Sequence, residues 1–170
     1  MGRWRLAQPW LSLLVRVGLA GIFLVAGLLK ATDVDANARA VVAYQLMTND
    51  LAVTVGHVQP FFEIALGLWL LLGVATRAAA FLSAVVMVIF ISGIASAWAR
   101  GLNIDCGCFS KGGNLAPGET PNYLPSIAWD VLYLAMAIFL IVYPISRFSL
   151  DGWITSPSTV DSEGVGVDQT

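Results

Sequence analysis

The chain has 170 residues, of which 58% are hydrophobic and 12% charged, with a formal net charge of −2. A soluble domain carries about 25% charged residues, so a water-soluble globule of this composition is excluded. No basic surface is present to suggest nucleic acid. The chain reads as an integral membrane protein, all-α, built from four transmembrane helices.

The first apolar segment, at about residues 10–31, is "WLSLLVRVGLAGIFLVAGLLKA". Arg3 and Arg5 ahead of it also fit a signal peptide, but Arg16 interrupts the apolar run and no small-x-small cleavage site follows closely. An uncleaved helix is therefore expected. The following stretch, "VDANARAVVAYQLM", places Val34, Ala38, Val41, Val42 and Leu46 on one helical face, with Asp35, Asn37 and Arg39 elsewhere. That pattern suits a short interfacial helix between helices 1 and 2, and a solvated loop is the alternative. The remaining spans are expected at about 55–75, 78–99 and 124–146. Each is long enough, at ~1.5 Å per residue, to cross a hydrocarbon core of about 30 Å. Residues 1–150 thus form one four-helix domain, followed by a polar, acidic, disordered tail over 151–170.

Orientation is expected from the basic residues near the helix ends. With both termini cytoplasmic, Arg3, Arg5, Arg77 and Arg147 lie inside and Lys30, Arg39, Arg100 and Lys111 outside. The tie is broken by Arg16, which snorkels toward the amino-terminal end. Both long connections, 32–54 and 100–123, then face outward from a cell membrane.

The second of these holds the chain's two cysteines, in "NIDCGCFSKGG". A bridge across Cys106, Gly107 and Cys108 strains ordinary disulfide geometry and closes too small a ring to stabilise the fold. Strained, accessible disulfides are the exchange-prone ones. Lys111 favours a thiolate here and Asp105 opposes it. A structural or partner-bonded pair, metal ligation and an inert pair remain open. Metal is the weaker reading, since two thiols without a second ligand pair are a poor zinc signal and only His57 and Asp105 are at hand.

Inside the expected spans lie Arg16, Glu63 and Asp130, with Lys30 at the end of the first. Charged groups in lipid face the bundle interior, where they pair or serve function. Counted along their helices, Glu63 and Asp130 lie roughly 9–12 Å below the outer surface and Arg16 roughly 9 Å from the inner one. Either carboxylate could pair with Arg16 or Lys30. Alternatively, Glu63 carries a proton or hydrogen-bonds a small molecule. Pro60, a turn earlier, frees a backbone carbonyl. His57 reads as an interfacial polar group, and the glycines at 18, 21, 27, 67 and 73 as close-packing positions.

The series Arg16, "FLVAGLLK" at 23–30, Tyr44, "PFFE" at 60–63, Gly67, Arg77 and "RGLNIDCGCFS" at 100–110 resembles the MauE branch of the DoxX-like membrane proteins. The resemblance spans about residues 10–146, and "DCGCF" after Arg-Gly is its most specific element. It implies a four-helix bundle and a part in electron transfer or disulfide formation for extracytoplasmic proteins, such as a disulfide-rich methylamine dehydrogenase subunit. It also implies that Arg16, Lys30, Glu63, Cys106 and Cys108 are the motif positions. The expected partners are the lipid bilayer and a thioredoxin-like or disulfide-bonded protein. No cofactor is evident. A quinone is the acceptor class used by membrane thiol oxidases, but those carry Cys-x-x-Cys and a second pair, which this chain lacks. A non-catalytic assembly subunit of a membrane complex is the rival reading.

Overall fold

A computed structural model describes the fold of residues 2–105, 113–115 and 119–144. Five helices and one small sheet follow in chain order: α1 (Gly2–Ala31), α2 (Val34–Ala43), α3 (Asn49–Leu72), α4 (Thr76–Ala99), β1 (Ile104–Asp105), β2 (Gly113–Asn114) and α5 (Tyr123–Val142). Four of the helices are long and apolar enough to cross a membrane: Ala7–Ala31 within α1, α3, α4 and α5. The expected tail at 151–170 lies outside the described residues.

Local chemistry fixes the helix ends. Asp33 caps α2, its carboxylate accepting from the Ala36 amide at 2.9 Å. Asp50 sits in the first turn of α3, where the helix dipole favours it. Gly73 ends α3 in the left-handed region at φ 66°, with its amide donating to Trp69 and Leu70 carbonyls. Consequently α3 runs from Asn49 to Leu72 rather than over 55–75. Similarly, α5 stops at Val142 rather than continuing to 146, because Tyr143 precedes Pro144 and leaves helical backbone there.

The charges within the spans face inward, while much apolar side-chain surface faces out. Leu14 is 69% exposed, Leu124 65% and Phe81 62%, whereas Arg16 is 2%, Glu63 1% and Asp130 3%. Ser12, Thr76 and Ser83 are buried as well. A chain that leaves many large apolar side chains on its outer surface and turns these charges inward is built for lipid.

Helix α1 packs chiefly on α3, and α4 on α5, with α2 laid against α3. The core between them holds Leu19, Phe23, Leu66, Leu70, Met87 and Leu140. Of the five glycines expected to allow close packing, two do so tightly. A Cβ on Gly27 would lie 2.8 Å from the Pro60 carbonyl, and one on Gly67 2.8 Å from Leu24 Cγ. Gly21 faces open space, and Gly73 serves as the cap of α3 instead.

Both long connections emerge at the same end of the bundle. There a second cluster forms from Ala43 of α2, Ile94 and Ala97 of α4, Ile104 of β1 and Tyr123 of α5. At the opposite end Ser12 donates to the Tyr143 carbonyl at 3.0 Å, and Arg77 to the Ile141 carbonyl at 3.1 Å.

The α2 face differs from the expected one. Ala36, Asn37, Ala38, Ala40 and Ala43 are buried, while Leu46 is exposed and Val41 and Val42 only half-covered. The close approach to α3 admits alanines and excludes the larger valines. Asn37 enters that seam because its Nδ2 donates to the Gly56 carbonyl at 2.6 Å.

Candidate functional site

The cysteine segment is rooted in a paired base. Strands β1 and β2 run antiparallel with Ile104 opposite Asn114 and Asp105 opposite Gly113. Cys106 and Cys108 themselves lie outside the described residues, between those strands in the chain. In the chain Cys106 follows Asp105, the last residue of β1, directly. Ile104 is 2% exposed. Its amide donates to the Tyr123 hydroxyl at 3.4 Å, and that hydroxyl donates to the Leu102 carbonyl. Leu115 donates to the Asn103 carbonyl at 3.2 Å, closing the base from the other strand. The Tyr123 ring stacks on Trp98 with centroids 6.3 Å apart. Arg100, capping α4, donates through Nη1 to the Gln45 carbonyl at 3.2 Å and through Nη2 to that of Tyr44. The end of α2, the end of α4, the start of α5 and the strand base are thereby tied together.

A second polar centre lies within the bundle. Lys30 Nζ donates to Glu63 Oε1 at 2.6 Å, with the side chains 7% and 1% exposed. Gln59, one turn before Glu63 on α3, donates to the same oxygen through Nε2 at 3.0 Å. The Lys30 ammonium also stands 5.2 Å from the Phe90 ring centroid, within cation–π range. Asp130 reaches this centre from α5: it lines one small cavity together with Lys30, Glu63, Tyr133, Met87 and Phe90.

Of the two cations offered by the sequence, Lys30 is the one that serves Glu63. Arg16 stands 14 residues earlier on α1, roughly 21 Å along the helix axis, and is buried near the opposite end. Glu63 lies level with the last turn of α1, since α3 starts at Asn49 and its first turns extend beyond α1 beside α2. Gln59 and Phe90 were not singled out in the sequence, and Asn37 was placed off the face of α2 expected to be buried. Only Gln59 carried a signal there, its i−4 spacing from Glu63. His57, read as an interfacial polar group, bonds Asp35 on α2 at 2.9 Å, an exposed contact that adds little stability.

The family model described as methylamine utilisation protein MauE matches residues 8–143. The chain belongs to the MauE family. No curated protein and no solved structure matches it. With four apolar spans and this membership, it is a multi-pass membrane protein of a family named for methylamine utilisation. In this MauE-family chain the match takes in the Lys30–Glu63 pair, Asp130 and the whole cysteine segment.

Proposed function

We propose that this protein is a membrane-bound redox component whose Cys106–Cys108 pair exchanges disulfides with a thioredoxin-like protein outside the cytoplasm. The observation that carries the proposal is the adjacency of the chain's two cysteines to an anchored strand base at one end of the bundle. Exchange with a soluble partner needs the pair outside the lipid, and the described strand base from which the segment departs lies at an end of the bundle. In this reading both termini are cytoplasmic.

The chemistry is an exchange in two displacements. A thiolate of one protein attacks a disulfide sulfur of the other, forming a mixed disulfide and releasing one thiolate. The second thiolate of the attacking pair then displaces the partner's sulfur. The bridge has moved from one protein to the other, and two protons and two electrons have moved the opposite way. Maturation of disulfide-containing proteins such as methylamine dehydrogenase is a destination consistent with the family's name.

Single substitution leaves the mixed disulfide unresolved. Cys106→Ser or Cys108→Ser is therefore expected to trap a covalent partner adduct in cells, visible as a band lost on reduction. The double serine variant, at normal protein level, is expected not to rescue a deletion strain. Full rescue by that variant, with no adduct from either single one, would instead identify a non-catalytic assembly subunit.

A further inference from the structure

Around one small cavity within the bundle, one cation, Lys30, is set against two carboxyl groups. Helix α1 contributes Lys30, α3 Glu63, and α5 Asp130 with Tyr133; α4 contributes only Met87 and Phe90. Glu63 Oε1 is taken by Lys30 and Gln59. Glu63 Oε2 and Asp130 Oδ2 are fully buried and accept no hydrogen bond among the described residues. Bare carboxyl oxygens in a low-dielectric interior are strongly disfavoured. Two ionised carboxylates facing one ammonium would also leave a net negative charge in lipid, which desolvation opposes strongly.

The cavity between these groups supplies the remedy. Its volume is about 20 Å³, just above the ~10–15 Å³ that one water requires. We propose that Lys30, Glu63 and Asp130 form an intramembrane proton-binding site, holding one proton on the carboxyl pair and one water between Glu63 Oε2 and Asp130 Oδ2. The proton makes the cluster neutral, and the water supplies partners to both bare oxygens. Transfer is balanced: one O–H bond breaks at the first carboxyl as another forms at the second. The water gives up one proton and takes one, and the net charge is unchanged.

Lys30 and Phe90 also line a larger, mainly apolar cavity of about 140 Å³, which reaches Gln59, Asn37 and Tyr44. The buried site thus adjoins a cavity on the side of the bundle where α2 lies. The site stands on its own geometry and holds whether or not the cysteines exchange disulfides.

Infrared spectroscopy of the purified full chain in lipid nanodiscs at neutral pH tests this. The expected result is one protonated-carboxyl C=O band that shifts in D2O. Both Glu63→Gln and Asp130→Asn are expected to abolish it, because either change leaves one carboxylate paired with one ammonium. Lys30→Met is expected to roughly double it, since both acids must then be neutral. A band that survives Glu63→Gln would place an isolated acid at Asp130 and overturn the shared site. Should a variant fail to insert, wild-type protein carrying 13C-carboxyl aspartate or glutamate decides the matter. Absence of an isotope-shifted, D2O-sensitive acid band under both labels would overturn the proposal.

Discussion

Lys30→Met is expected to destabilise the bundle by about 3–5 kcal/mol, the range for removing one partner of a buried ion pair. Lys30 Nζ is the charged donor to Glu63 Oε1 at 2.6 Å, and the pair is 7% and 1% exposed, so solvent cannot replace what is lost. Methionine keeps the length and most of the volume of the side chain, which isolates the charge from the packing. The loss should appear as an earlier midpoint when unfolding in mixed micelles is titrated with a denaturing detergent. Pairing the change with Glu63→Leu removes the carboxyl that Lys30→Met forces to take up a proton, and the double variant is expected to recover most of the loss. Equal midpoints for Lys30→Met and the double variant would contradict a coupled pair. So would a shift in Lys30→Met smaller than about 1 kcal/mol, the size of an exposed pair.

Gly56→Val is expected to release α2 from the bundle. A Cβ at position 56 would stand 2.4 Å from Ala38 Cα and 3.0 Å from the Ala38 backbone nitrogen. Both are main-chain atoms, so no side-chain rotation relieves the clash, and overpacking of this kind costs about 1–3 kcal/mol. The same displacement breaks the bond from Asn37 Nδ2 to the Gly56 carbonyl, worth about 1 kcal/mol more. Because Arg100 grips the Tyr44 and Gln45 carbonyls just after α2, the disturbance should travel to the base of the cysteine segment. Hydrogen–deuterium exchange in detergent reads it directly. Amides of α2 and of residues 102–105 should lose protection while α4 and α5 keep theirs. Unchanged protection across α2 would mean that the α2–α3 seam does not depend on this glycine.

The architecture was legible in the sequence because lipid imposes a simple rule: long apolar runs become helices that bond their own backbones. Even the misplaced boundaries carried their signals. Gly73 stops α3 and Pro144 follows the end of α5, but apolar residues continue past both, and hydropathy alone ran on with them. The face of α2 was misjudged for a different reason. Periodicity ranks valine above alanine, whereas a seam built on Gly56 and Ala38 selects for smallness. The offset between α1 and α3 was not legible, because where one helix starts relative to another is a tertiary fact. That offset is what brings Lys30, at the end of α1, against a residue 14 positions into α3. The need for a buried carboxylate to find a cation was legible, and the choice of Lys30 over Arg16 was not.

The most direct test of the central claim is the redox state of Cys106 and Cys108 in intact cells, read by alkylation shift with a membrane-impermeant maleimide applied from outside. The account predicts a fraction of the protein that resists the reagent until a reductant is added and is then labelled at both positions. Thiols that are permanently free, or that react only when the cytoplasmic side is opened, would contradict it.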